Sequence, residues 1–252
     1  MRKACTLFLS LLAVPYCRAQ YPARGFPVTP AQSDWTASLQ QDFAVDRGAM
    51  GRPSGENISV ARLRHNPPGK ARSAFSRGLK CADANEFQLA VAAFQEAVAI
   101  DPEFSEAHGN MGVEYTALGL FDEAASAFRR AVELDPSTGI HHANLAYALL
   151  RLERDKEAER EAQAAVDLDP TYTKGQYLLG FLEAHRPGAA RQAEQHLGYA
   201  ARELPEAHFV LAELYFNEGN GQIAGEELDK YRKAIELRTK EEANNLAAKS
   251  VK

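Results

Sequence analysis

The sequence predicts an all-α solenoid of about five stacked helical hairpins behind a loosely ordered N-terminal segment. Three observations carry this. Pro102, Pro136 and Pro170 stand 34 residues apart and Pro205 follows 35 later, each closing a similar phrase: AIDP, ELDP, DLDP and RELP. A fixed period of this size is the signature of repeated supersecondary units. Counting back from each proline, alanine recurs at twelve residues (Ala90, Ala124, Ala158, Ala193) and at five (Ala97, Ala131, Ala165, Ala200). Eight residues back stands Phe94, Phe128, Ala162 or Leu197. Offsets of twelve, eight and five place these residues on one face of a helix. Finally, no strand pattern alternates with these helices, and no Gly-rich phosphate loop follows a strand.

The chain opens in a different character. Arg2 and Lys3 precede an uncharged apolar run, Thr6 to Val14, which Pro15 ends; Cys17-Arg18-Ala19 then puts small residues at the first and third places. This is the layout of a secretory signal peptide over residues 1–19, with cleavage after Ala19. The run is well short of the roughly 20 residues a membrane-spanning helix needs. The expectation is an exported protein, periplasmic or secreted, of a bacterium. Export would remove Cys5 and Cys17, leaving Cys81 alone and excluding an intramolecular disulfide or a cysteine metal cluster. It would also remove three of the 29 basic residues, leaving 26 against 34 acidic ones, a net charge of −8. That balance disfavours nucleic acid and anionic membrane surfaces as partners. No later stretch is apolar enough to form an integral membrane segment.

Residues 20–69 are rich in Pro, Gly, Ser, Arg and Gln and read as a linker, partly disordered. Two pieces have local pattern. Ser33 to Val45 (SDWTASLQQDFAV) suits a short helix with Trp35, Leu39 and Phe43 on one side, and Asn57 to Leu63 alternates as a short strand does.

The repeat array spans 70–237, in units of about 71–104, 105–138, 139–172, 173–204 and 205–237. In each of the first four units a helix carrying one small residue (Gly78, Gly112, Ala146, Gly180) precedes the alanine-bearing helix. Gly or Ala on one helix and Ala on the other let the two axes approach, while a bulky neighbour fills the groove beside the contact. Proline closes the second helix because it lacks an N–H and disfavours helix in the residue before it. One hairpin cannot bury both faces, so such units stack into arrays. Residues 238–252 read as a charged capping helix and tail, since an open solenoid end needs a polar outer face.

Ser105 to Thr138 carries His108, Met111, Gly112, Tyr115, Ala124, Phe128, Ala131 and Pro136. Here the chain resembles the tetratricopeptide repeat family, whose 34-residue consensus places Trp, Leu, Gly, Tyr, Ala, Phe, Ala and Pro at these positions. Units 71–104 and 139–172 resemble it well. Unit 173–204 does so with one inserted residue near His185 to Gly188, and the fifth unit is more divergent, with Tyr231 where Ala is usual. The resemblance implies a right-handed superhelix whose first helices line a concave, peptide-binding groove. By position that groove would hold Phe75, Leu79, Gly109, Val113, Thr116, Ala143, Tyr147, Leu150, Arg151, Lys174, Tyr177, Phe181, His185, Phe209 and Phe216. Some family members clamp a C-terminal carboxylate with Lys, Asn and Arg. In this chain Phe75, Leu79, Ile140 and Asn144 stand in four of those places and only Asn110 is retained, so no such clamp is expected.

Catalytic and metal constellations are not apparent. The seven histidines show no ligand spacing with a carboxylate partner, and His-Glu-x-x-His and Cys-x-x-Cys are absent. His108 takes a packing position, Cys81 reads as a small core hydrophobe, and Asp122 and Glu123 suit a helix start. The expected function is a non-enzymatic, cofactor-free scaffold or adaptor of the cell envelope, monomeric or weakly self-associating, that binds a protein or peptide partner. The alternative is an assembly factor for an outer-membrane, pilus or secretion complex.

Overall fold

The computed structural model describes the backbone of residues 65–250 and side chains through Glu241, with Asn244. The expected signal peptide, the helix Ser33–Val45 and the strand Asn57–Leu63 lie outside the described residues. Ten helices and no strand are present among those residues. In chain order they are α1 Gly69–Asp83, α2 Phe87–Ile100, α3 Ser105–Ala117, α4 Phe121–Leu134 and α5 Gly139–Arg151. Then follow α6 Asp155–Leu168, α7 Thr173–Ala184, α8 Ala190–Ala200, α9 Glu206–Asn217 and α10 Gly221–Ser250. They pair as five antiparallel hairpins, and each second helix also packs on the next first helix. The first helices α3, α5, α7 and α9 touch in succession, so the array has an inner row and an outer row. α10 runs past residue 237 without a break, making the fifth hairpin's second helix and the capping helix one element.

Each hairpin turns through one residue in the left-handed backbone region: Asn85 (φ 58°), Gly119 (φ 74°), Glu153 (φ 60°), Gly188 (φ 81°) and Gly219 (φ 80°). The amide that follows it closes back on the helix in four of the five: Glu86 N–H to Cys81 O, Leu120 to Tyr115, Arg154 to Leu149 and Asn220 to Tyr215, at 2.8–2.9 Å. This is the usual way of satisfying the last carbonyls of a helix. Gly188 falls one residue later in its unit than the others, where the sequence places its insertion.

The Asp-Pro phrases have a different job. The Asp135 carboxylate accepts from Ser137 N–H (3.3 Å) and from the Ser137 and Thr138 hydroxyls (2.8 Å each). Asp169 does the same with Thr171 N–H and Oγ1. The aspartate side chain builds the turn that the following proline then stiffens. The fourth phrase, RELP, lacks the aspartate, and there Pro205 sits directly before α9.

Within the hairpins the small residues mark close approach. A Cβ added at Gly78 would meet the Phe94 ring at 2.5 Å, one at Gly112 the Phe128 ring at 2.7 Å, and one at Gly180 Leu197 Cγ at 2.8 Å. Phe94, Phe128 and Leu197, eight residues before their prolines, are fully buried. The main core runs from Val113 to Leu214, while the first hairpin and the start of α3 form two smaller clusters.

Candidate protein-binding groove

The groove candidates separate into two groups. Val113, Tyr147 and Tyr177 belong to the main core, with Leu150 and Phe181 packed against it. Phe75 and Leu79 join the smaller clusters of the first hairpin. The Phe75 ring stands 4.8 Å from that of Phe104 and 5.5 Å from that of Phe94. Phe75 therefore packs into its own hairpin rather than lining a surface shared with α5 and α7. The aromatic rings of the second helix and of the following loop draw it there.

The centre of the candidate site is an aromatic and basic chain on α5 and α7. Arg151, exposed at the end of α5, donates to the Tyr147 hydroxyl (3.1 Å). Its guanidinium lies 4.2 Å over the Phe121 ring and 5.9 Å from that of Tyr147, a cation–π arrangement. Along α7, Tyr177 stacks on Phe181 (6.2 Å), and the Phe181 ring packs at a tilt against His185 (4.5 Å), the residue after the helix, while His185 Nδ1 contacts the Phe181 carbonyl at 2.8 Å. Lys174 is half-buried in the first turn of α7. Burial pushes the Tyr147 phenol up, against the opposing pull of Arg151. Burial, reinforced by Glu206, holds Tyr177 well above its usual range. Both are neutral phenols at physiological pH.

One expectation of exposure is not met. Tyr147 and Tyr177 are only 3 % and 1 % exposed, and Val113 is equally buried. Leu150, Lys174 and Phe181 are half-buried, and of the nine principal candidates Arg151 alone is exposed. Neighbouring helices in a solenoid take up most of a side chain's surface before any partner arrives. Residues that sequence reasoning missed include Phe121, the platform for Arg151, which reads in the sequence only as a helix start. Asn144 was also missed: it is buried with Val113, Thr116, Phe128 and Tyr147 where α3, α4 and α5 meet.

A second device recurs at the joints between units. His108 Nε2 contacts the Pro102 carbonyl (3.2 Å), His142 Nε2 the Pro136 carbonyl (3.1 Å), and Gln176 Nε2 donates to that of Pro170 (2.7 Å). Each links a first helix to the loop six residues upstream. The same side chains reach the outer row, His142 to Glu161 (2.8 Å) and Gln176 to His196 (2.6 Å), and His208 meets Glu227 (2.6 Å). These are structural clasps, and three of the seven histidines are used in this position. Among the described residues no group of three His, Cys, Asp or Glu side chains is placed to hold a metal ion. No described helix is long and apolar enough to cross a membrane.

Residues 110–173 match the family model of the tetratricopeptide repeat. No curated protein matches the chain. Among solved structures, MamA from Desulfovibrio magneticus RS-1 is 19% identical; the match covers 67% of this chain and 96% of that one, with a TM-score of 0.59. YrrB, described as a TPR protein with an unusual peptide-binding site, is 23% identical over 64% of this chain and 84% of its own (TM-score 0.55). TTC0263, a thermophilic TPR protein of Thermus thermophilus, is 22% identical over 70% and 99% (TM-score 0.52). At these identities the likeness is one of fold.

Proposed function

Since the chain carries tetratricopeptide repeats, we propose that it is a non-enzymatic scaffold that binds a protein partner through the inner row of its third and fourth hairpins, in the bacterial cell envelope. The observation that carries the reading is the pair of clusters Phe121–Arg151–Tyr147 and Tyr177–Phe181–His185 on adjacent first helices. It offers aromatic surface with a guanidinium at its edge, the composition of an interface hot spot. Lys174 adds a second cation on the same helix row. An apolar peptide or amphipathic helix bearing acidic residues fits this chemistry. A relative in fold, YrrB, is itself described as having a peptide-binding site.

The buried tyrosines are poor test positions, because Tyr147→Glu would place a charge in the core and unfold the hairpin. Arg151→Glu with Lys174→Glu changes the edge of the site instead. Affinity capture from envelope extracts is expected to retain a partner with the wild-type chain and lose it with this pair, at unchanged helix content by circular dichroism. Equal capture by both would move the site away from α5 and α7. The envelope location is tested by the mass of the protein recovered from the periplasmic fraction, expected to lack residues 1–19.

A further inference from the structure

We propose that Glu183 and His196 share one proton at the joint between the third and fourth hairpins, and that this proton decides which carboxylate Arg186 holds. The device is built into the fold and needs no partner. A series of fixed hydrogen bonds sets it up. Gln176 Nε2 donates to the Pro170 carbonyl (2.7 Å), so the Gln176 amide oxygen is the atom that faces His196 Nδ1 at 2.6 Å. An amide oxygen only accepts, so Nδ1 carries the hydrogen. The neutral imidazole then keeps its lone pair on Nε2, 3.7 Å from Glu183 Oε2. Glu183 is 5 % exposed, and its Oε2 has no hydrogen-bond partner among the described residues. A bare carboxylate buried opposite a lone pair is the arrangement this geometry disfavours. One proton between the two groups satisfies both.

The surroundings agree. α8 presents His196, α6 presents Glu159 and the α7–α8 turn presents Arg186. Arg186 and Glu159 are the charges that shift Glu183, and α5 and α9, also packed on α7, bring none that does. Burial, opposed by Arg186 and reinforced by Glu159, lifts the Glu183 carboxyl to about 7, while burial lowers the His196 imidazole. The proton therefore rests on Glu183. Arg186 connects this pair to the stack. Its Nη1 bonds Glu159 on α6, and its Nη2 stands 4.0 Å from Glu183 Oε1. While Glu183 keeps its proton, Glu159 is the stronger partner and the turn is tied to the third hairpin. Once the proton leaves, Glu183 is the more buried of two carboxylates, where an ion pair is less screened. Arg186 is drawn to it, and the tie to α6 loosens. His185 precedes Arg186 and packs on the Phe181 ring at 4.5 Å, so the change reaches the inner row.

Isotope-edited NMR of the side-chain carboxyl carbons and imidazole nitrogens, followed through a pH titration, reads the pair directly. In the wild-type chain Glu183 is expected to titrate near pH 7, with His196 as the Nδ1–H tautomer. The amides of residues 185–189, corrected for intrinsic exchange, are expected to lose hydrogen-exchange protection as pH rises through the same midpoint. Glu183→Gln keeps the shape of the protonated side chain and should abolish that dependence. Glu159→Gln, at a half-buried position, removes the competing carboxylate, so Glu183 should titrate at lower pH. Titration of Glu183 in the ordinary carboxylate range, an Nε2–H tautomer of His196, or protection of 185–189 that is flat through neutral pH would each overturn the proposal. If Glu183→Gln does not fold, Glu159→Gln decides alone, and an unmoved Glu183 titration in that chain would overturn it as well.

Discussion

The second and third hairpins align residue for residue over Ser105–Thr138 and 139–172, yet they solve the same contact in opposite ways. In the second, Gly112 faces Phe128, whose ring occupies the space a Cβ at residue 112 would need. In the third, the same two places hold Ala146 and Ala162, both completely buried. What the two share is that no large ring opposes a Cβ, although the glycine–phenylalanine pair has the larger combined volume. The axes approach when one side yields its Cβ to a large ring, or when both sides are small. The third hairpin should therefore reject a phenylalanine unless its partner gives way. Ala162→Phe is expected to cost about 3 kcal/mol by overpacking, read as a lower urea midpoint. Adding Ala146→Gly recreates the arrangement of the second hairpin and should recover about 2 kcal/mol, leaving the cost of a helical glycine. No recovery would mean that the two hairpins differ in backbone geometry as well as in side chains.

The third place of each unit sharpens the contrast. In the second hairpin it is Ala107, buried and apolar; in the third it is His141, equally buried. Burial, with neighbouring His142 adding and Asp135 opposing, lowers the His141 pKa to about 4. Below the unfolded value of 6.5 the unfolded chain takes up a proton that the folded chain refuses. Stability is therefore intact above pH 6.5 and is lost as pH falls toward 4, by about 3 kcal/mol for this ring alone. His141→Ala should cost stability at pH 7.5 through lost packing. The gap between wild type and variant should close by about that amount at pH 4. Urea melts of both chains at the two pH values check this, and parallel pH profiles would show that His141 charges freely in the folded state.

A smaller asymmetry lies in the turns. Gly119 and Glu153 occupy the same left-handed position, at φ 74° and 60°. Glycine adopts this region freely, whereas a residue with a Cβ gives up about 1–2 kcal/mol. Glu153→Gly is expected to raise stability by about 1 kcal/mol, while Gly119→Glu lowers it by a similar amount. If Glu153→Gly is neutral or worse, the Glu153 side chain contributes something its backbone conformation conceals.

The array was legible in the sequence because period, small residues and prolines are all set by helix packing, which acts locally and repeats. Pro102, Pro136, Pro170 and Pro205 and the alanines counted back from them fix four of the five hairpins without any structure. The left-handed turn position was not legible, because Asn85, Gly119 and Glu153 share a backbone angle and not a residue type. The surroundings of the candidate residues were legible only in part. Positional transfer placed Tyr147, Arg151, Tyr177 and Phe181 on one row; in the structure Arg151 meets Tyr147 on α5 and Tyr177 meets Phe181 on α7. It also placed Phe75 there, although the rings of Phe94 and Phe104 hold it inside the first hairpin. Which residues share a face follows from helical periodicity. How deeply each is covered depends on neighbours that the period does not specify.

The subtlest contrast is between two histidines that hold the same acceptor. His108 and His142 both reach the proline carbonyl six residues upstream, but their acidities diverge. Burial lowers His108, with Arg130 adding to the effect. Burial opposes charging of His142 as well. The Glu161 carboxylate at 2.8 Å, together with the Pro136 carbonyl and Asp135, outweighs it and raises the pKa. Ala127 stands in the second hairpin where Glu161 stands in the third, so one outer-row residue decides the sign. The His142 clasp thus contributes stability that is full below pH 6.5 and fades as pH rises through the folded pKa. Glu161→Ala should drop the His142 imidazole below its usual value, alongside His108, with a stability loss under about 1 kcal/mol at pH 6 and almost none at pH 8. Imidazole chemical shifts followed through a pH titration measure both rings at once. If His142 stays high without Glu161, the inter-unit loop and not the outer helix sets its charge, and the two hairpins would then differ in their joints rather than in their facing helices.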